Sequence, residues 1–185
     1  MEKREKIAIL FSGSGTNLKY ILETLHKKEL EVVLALTNNP NAGGVRYAKE
    51  HNIPLEIVDS KNYPNREDFD KEIVKIIEQS GATLTVLAGF MRILTSIFTN
   101  NIKAINLHPS LLPRHKGLNA IERSFNDKFE YGGVSVHYVT DELDGGKIIL
   151  QKSIKKSGLT FEQYYNKIRT IEKEGLKEAI LIVVS

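Results

Sequence analysis

Four short, almost uninterrupted apolar runs, at residues 7–11, 32–36, 84–88 and 102–107, constrain this chain more than any other feature of it. A run of about five apolar residues without polar alternation has no face to give to water, so it must become a strand covered on both sides. Segments of helical periodicity stand between the runs. Leu18, Ile21, Leu22 and Leu25 recur at three- and four-residue spacing, and Phe69, Ile73, Ile76 and Ile77 share one side of an expected helix over 66–79. A short helix near 44–50 and a weaker strand at 55–58 complete the pattern. Buried strands separated by helices imply parallel βαβ units with right-handed crossovers.

The second half reads differently. A helix is expected over 118–126 with Ile121 and Phe125 inward, then two strands at 134–139 and 147–154. The turn Asp141-Glu142-Leu143-Asp144-Gly145-Gly146 between them is too short for a parallel crossover, so the strands should be antiparallel neighbours. Thr160 is placed to cap a closing helix that buries Phe161, Tyr164, Ile168 and Ile171, with Gly175 weakening its far end. The expectation is one α/β domain over 1–185, a Rossmann-like, mostly parallel sheet flanked by helices with an antiparallel C-terminal strand pair.

Composition narrows the function. With 41% hydrophobic and 26% charged residues, the chain can build an ordinary globular core. A net charge of +3 gives no reason to expect a nucleic-acid partner, and Lys152, Lys155 and Lys156 read as a solvated segment. The absence of cysteine excludes disulfides, thiolate nucleophiles and cysteine-ligated zinc. No apolar run approaches a membrane span, and the opening Met1-Glu2-Lys3-Arg4-Glu5-Lys6 has no apolar segment of the kind a secretion signal needs. A cytoplasmic location without a membrane partner is expected.

Two stretches carry chemistry. Ser12-Gly13-Ser14-Gly15-Thr16-Asn17 joins the first strand to the first helix, where backbone N–H groups and a helix N-terminus can hold a phosphate. Leu18 stands where a dinucleotide loop needs its third glycine, and no acidic residue ends the second strand, so a single terminal phosphate fits better. The alternative is a plain tight turn capped by Ser14 or Thr16. The second stretch is Asn106-Leu107-His108-Pro109-Ser110-Leu111-Leu112-Pro113. Residues two apart on an extended chain share a face, so Asn106 and His108 can point into one cavity before the prolines stiffen the loop.

Of the five histidines, His108 alone follows a buried run and precedes such a loop. His26 and His51 read as capping or solvated, His115 as exposed or phosphate-facing, and His137 as a structural mid-strand residue. Asp144, in its Asp-Gly-Gly setting, is the carboxylate best able to approach His108, with Asp141 and Glu142 as alternatives that read better as solvent-facing turn residues. A histidine–carboxylate pair without a Ser or Cys nucleophile suits acid/base work on a substrate that brings its own nucleophile. Asn106 fits the stabilisation of an oxyanion. Ser110 lacks a strained glycine elbow and reads as a backbone or phosphate binder. The alternative is an asparagine and a histidine that merely tie down the loop.

Four segments in order resemble the phosphoribosylglycinamide formyltransferases: 12–18, 87–94, 106–113, and 136–146 with Ile148-Ile149-Leu150-Gln151 after it. The resemblance implies a folate-dependent enzyme that passes the formyl group of 10-formyltetrahydrofolate to the amine of 5-phosphoribosylglycinamide by direct attack, with no metal. By the same resemblance Asn106, His108 and Asp144 would be catalytic, and Gly13, Ser14, Gly15, Thr16 and Asn17 would bind the substrate phosphate. Arg66, Met91, Arg92, Ile93 and Leu94 would hold the folate with Asn106 and with Thr140, Asp141, Glu142, Leu143 and Asp144. Glu172 would meet the ribonucleotide, and the enzyme would be a monomer or homodimer. Departures fall at Arg114-His115-Lys116 and Leu118-Asn119-Ala120-Ile121, where many relatives differ. Formyltetrahydrofolate deformylases, which resemble the same core, carry a second histidine where this chain has Pro109. Methionyl-tRNA formyltransferases add an RNA-binding domain, for which this chain has neither length nor a concentrated basic surface. A non-catalytic sugar-phosphate-binding domain would not need Asn106, His108 and Asp144 together.

Overall fold

The computed structural model describes residues 4–185, so the first three residues of the charged N-terminal segment and of the expected domain lie outside the described residues. The chain divides into two compact units, residues 1–105 and 106–185. The first contains β1 (Glu5–Phe11), α1 (Thr16–Thr24), β2 (Leu30–Thr37), α2 (Val45–Glu50), β3 (Leu55–Ile57), α3 (Arg66–Ser80), β4 (Leu84–Leu87) and α4 (Ser96–Thr99). Its strands run in the order β3-β2-β1-β4, and each of the three pairings is parallel. Ile7, Ala8, Ile9, Leu10 and Phe11 have no exposed surface, as expected of an apolar run sandwiched between helices.

Helix α3 buries Phe69, Ile73 and Ile77, but Asp70 and Val74 take the remaining buried positions while Ile76 is half-buried. The Asp70 carboxylate is reconciled with burial by accepting the Thr95 N–H at 2.6 Å and the Thr95 hydroxyl at 2.7 Å, which fixes the start of α4. Burial nonetheless pushes its pKa up against those two hydrogen bonds.

Strand β5 (Ala104–His108) opens the second unit with its last three residues, and α5 (Ala120–Asn126), β6 (Tyr131–Tyr138), β7 (Ile148–Lys155) and α6 (Phe161–Val184) follow. The strand order here is β5-β6-β7, and β6 and β7 pair antiparallel with Val134 opposite Lys152. The architecture is therefore the expected one: parallel βαβ units flanked by helices, then an antiparallel C-terminal pair.

Three expectations are corrected. Helix α5 starts at Ala120, after Asn119 turns through φ 56°, and buries Ala120 and Ser124; Leu118 is exposed, and Ile121 and Phe125 are half-buried. A buried serine is stable there because its hydroxyl pairs with the Tyr164 hydroxyl at 2.9 Å. In α6, Phe161 is exposed and Ile171 half-buried, while Tyr164, Ile168, Glu172, Gly175, Leu176, Ala179 and Ile180 form the buried stripe. Lys156 is no solvated residue: it is 8% exposed, with its ammonium on the Asp127 carboxylate at 2.5 Å and on the Ser124 carbonyl at 2.6 Å. Lys152 and Lys155 do reach outward, to Glu178 and Glu130 at 2.8 Å each.

The Thr160 cap is present as a full capping box with Gln163, and it launches a helix of 24 residues that continues through Gly175. A Cβ at Gly175 would meet Val134 at 3.5 Å and Lys152 at 3.6 Å, ordinary contact distances. Gly175→Ala should therefore stabilise the fold by about 0.5–1 kcal/mol in urea denaturation, because alanine loses less backbone entropy in a helix. A lower midpoint would mean that α6 needs the missing side chain.

Glu172 faces the same buried side, 4% exposed and paired with Arg169 at 2.7 Å. Burial outweighs the attraction of Arg169 and Lys173 and raises its pKa from 4.5 to about 7. A raised carboxyl pKa favours folding below the unfolded value, and that contribution is lost as the pH rises through the folded one. Glu172→Gln should therefore leave stability unchanged near pH 4 and increase it at pH 8 by on the order of 1–3 kcal/mol. A loss of stability at pH 8 would show instead that the ion pair with Arg169 dominates.

Candidate active site

In the first unit, β1 ends in the loop expected to hold phosphate. Gly15 turns through φ 72° as the residue before α1, so the N-cap position falls on Gly15 and not on Ser14 or Thr16. The glycine is required twice over. A side chain would be strained at that φ, and a Cβ would lie 2.3 Å from the Gly44 Cα. Gly44 in turn donates its N–H to the Gly13 carbonyl at 3.1 Å, so the loop rests on the turn before α2. Asn17 is 7% exposed, and its side-chain oxygen is buried without a hydrogen-bond partner. The first-turn N–H groups of an α-helix have no partner within it, which suits α1 to receive an anion.

Ser12, which sequence reasoning did not distinguish from its neighbours, braces this loop. Its hydroxyl donates to the Asn38 side-chain oxygen at 2.5 Å and accepts the Met91 N–H at 2.8 Å, while its carbonyl accepts from the Asn39 amide at 3.1 Å. The expected folate segment thereby begins on the same serine. Met91 and Ile93 are 64% and 58% exposed, a large apolar surface to leave in water. The Arg92 guanidinium lies 5.1 Å from the centre of the Phe69 ring, and its Nε is buried without a hydrogen-bond partner. Arg66 is exposed at the first turn of α3.

In the second unit, β5 delivers Asn106 and His108 as alternation requires, and Asp144 reaches both. His108 Nδ1 is 3.5 Å from one Asp144 oxygen, and the Asn106 amide nitrogen is 3.4 Å from the other. Asp144 sits at φ 50°, in the left-handed region that aspartate tolerates better than most residues, and its carboxylate accepts the Gly117 N–H at 2.8 Å. Burial opposes its charge, but His137, the Gly117 N–H and His108 together hold its carboxyl below the usual range.

His137 was expected to be structural. Its Nδ1 meets the Tyr138 carbonyl at 2.8 Å, so that nitrogen carries the hydrogen and Nε2 faces the Asn106 amide at 3.2 Å and Asp144 at 3.5 Å. It therefore belongs to the cluster. The signal was its place two residues after Ser135 on β6, since Ser135 faces the same loop. The Ser135 hydroxyl donates to the Ser110 carbonyl at 2.7 Å, accepts the Leu112 N–H at 3.0 Å and accepts from Gln151 at 2.9 Å. Ser110 itself donates to the Arg114 carbonyl at 2.5 Å, a backbone-binding role as expected.

The tautomer of His108 follows from one contact. Its Nε2 lies 2.7 Å from the His115 carbonyl, which can only accept, so Nε2 carries a hydrogen in every protonation state. Only Nδ1 is left for chemistry. Burial lowers the His108 pKa below 6.5, opposed by the His115 carbonyl and by Asp144. Thr140, Asp141, Glu142 and Leu143 are exposed on the loop before Asp144, with Glu142 held by Lys116 at 2.7 Å. Glu172 is engaged by Arg169 and not by this cluster.

What stands together is a carboxylate, two imidazoles and an amide, with no hydroxyl or thiol nucleophile among them. Such a set can accept a proton, donate one and polarise a carbonyl. Comparison with known proteins gives the family. A model of the formyl transferase family matches residues 5–180. A phosphoribosylglycinamide formyltransferase of Haemophilus influenzae is 38% identical over 81% of this chain and 73% of its own. The trifunctional purine biosynthetic protein adenosine-3 of Gallus gallus is 36% identical over 97% of this chain, which spans only 18% of that relative's length. The crystal structure of a phosphoribosylglycinamide formyltransferase from Campylobacter jejuni superposes with a TM-score of 0.96 at 51% identity, covering 98% of each chain. By its sequence, and by a fold shared almost end to end with that structure, the chain belongs to the formyl transferase family.

Proposed function

We propose that this chain transfers the formyl group of 10-formyltetrahydrofolate to the amine of 5-phosphoribosylglycinamide, acting as one formyltransferase domain in the cytoplasm. The observation that carries the reading is the convergence of His108 Nδ1 and the Asn106 amide on Asp144, without a nucleophile of the protein's own. The named relatives and a family match running without a break from 5 to 180 support it.

The substrate amine attacks the formyl carbon, and the carbonyl oxygen gains charge. The Asn106 amide and the Nδ1–H of a His108 imidazolium stabilise that oxygen; Nδ1 is the only His108 nitrogen free to do so. Burial keeps resting His108 neutral, so Nδ1 takes up a proton from solvent as charge develops on the oxygen, and the adjacent Asp144 carboxylate stabilises the resulting cation. Asp144, ionised at neutral pH, takes the proton the amine loses through a water. The bond from the formyl carbon to the folate nitrogen then breaks, that nitrogen takes the amine's proton back from Asp144 through the water, and His108 returns its proton to solvent as the oxygen becomes a carbonyl again. The products are a formamide and tetrahydrofolate, with no covalent enzyme intermediate.

Gly13, Ser14, Gly15, Thr16 and Asn17 hold the ribonucleotide phosphate in this reading, and Glu172 contacts the same substrate. Met91, Arg92, Ile93 and Leu94, with Arg66 and the loop from Thr140 to Asp144, hold the folate; the exposed Met91 and Ile93 supply apolar surface for it. The reaction uses no metal, and the enzyme acts as a monomer or homodimer without nucleic acid.

Purified protein given both substrates should release folate, followed by absorbance, only when the amine acceptor is present. Release at the same rate without acceptor would favour hydrolysis, and no release with both would refute the proposal. Asp144→Asn should keep the fold and lower kcat by about 10²–10⁴-fold, the range for a lost acid/base group. Near-normal turnover in the folded variant would remove Asp144 from the mechanism.

A further inference from the structure

Arg114 and His115 of the basic run and the buried Lys156 lie outside the chemistry above, yet they meet at one carboxylate. Asp127 follows α5 and is joined by His115 Nε2 at 2.6 Å, by Lys156 Nζ at 2.5 Å and by the Phe129 N–H at 2.9 Å; the Arg114 guanidinium is 3.6 Å away. Burial works against the charge of Asp127, but the Lys156 and His115 hydrogen bonds hold its carboxyl at about 2, so it stays anionic over the working pH range.

His115 is the residue whose carbonyl receives the Nε2–H of His108. It takes φ 57°, a conformation that costs an L residue roughly 1–2 kcal/mol and must be held by something else. Its imidazole on Asp127 is an anchor suited to that purpose, and Lys156 fixes Asp127 from the end of β7. We infer that Asp127 and Lys156 are positioning residues for His108, acting through the side chain of His115 to place the carbonyl that fixes the His108 tautomer. Without that anchor the carbonyl drifts, His108 can move its hydrogen to Nδ1 to meet Asp144 as a neutral ring, and the nitrogen needed for proton uptake is blocked.

The inference rests on the proposed formyl transfer for its kinetic arm only. His115→Gly keeps the carbonyl, removes the anchor and tolerates the φ; His115→Gln restores a donor that reaches Asp127. His115→Gly should lower kcat by about tenfold with the KM of both substrates little changed, and His115→Gln should recover to within about twofold of the parent. Nitrogen chemical shifts of His108 in ¹⁵N-labelled protein supply the second arm, independent of activity. The parent should show a protonated Nε2 and a bare Nδ1 above the His108 pKa, and His115→Gly a mixture with Nδ1 protonated. The double variant Asp127→Asn with Lys156→Met, which removes both buried charges together, should give the same shift of tautomer. A parent-like His108 tautomer in both folded variants would overturn the inference, as would an unchanged kcat in His115→Gly. A parent protein inactive in transfer but with these tautomers would instead count against the formyl-transfer reading alone.

Discussion

The Asp144 carboxylate is the interaction on which the second unit depends. A single buried anion at the end of an exposed turn gathers the Gly117 N–H, two imidazoles and an amide. An ionised carboxyl can be kept from water only if several donors replace the hydration it loses. Here the donors are the Asn106 amide on β5 and the Gly117 N–H from the loop after the prolines, with the His108 and His137 imidazoles each 3.5 Å from the carboxylate. The same requirement that makes Asp144 tolerable in a dry site also sets the orientation of His108 and Asn106. Stability and chemistry are one constraint there.

A comparable economy holds in the first unit, where backbone geometry replaces charge. The approach of Gly15 to Gly44 leaves no room for a side chain, and the Ser12 hydroxyl joins the end of β1 to Asn38 and to the start of the proposed folate segment at Met91. A loop so braced would hold the proposed phosphate without the cost of ordering itself on binding. The exposed Met91 and Ile93 are the opposite case, apolar surface left uncovered where a flat aromatic ligand would cover it.

The strands were legible because burial on both faces forces an unbroken apolar run, and residues 7–11 show that rule without exception. Asn106 and His108 were legible because a strand's two-residue repeat is rigid, and Asp144 because Asp-Gly-Gly permits a backbone turn that few other sequences allow. Polar residues that are buried through partners far along the chain were not. Lys156 reads as one of three lysines on a wet strand until Asp127 is seen beside it, 29 residues away. Asp70 looks like the polar face of α3 until Thr95 supplies its donors, and Ser124 displaces Phe125 from the buried side only because Tyr164 offers a hydroxyl. His137 is the satisfied mid-strand residue it reads as, but its place beside Asn106 and Asp144 needed the same knowledge. Local pattern reports the side that faces water, whereas a satisfied polar group needs knowledge of which strand lies next to it.

The central claim is that the acceptor amine takes the formyl group directly, in a site that polarises and moves protons but forms no bond of its own. A single-turnover experiment with donor carrying a ¹³C-labelled formyl group, quenched on the millisecond scale, tests it most directly. The account predicts label passing from the folate to the formamide of the acceptor, with none on the protein at any time and no formate when acceptor is withheld. Label on a protein side chain, or formate formed at the catalytic rate, would contradict it.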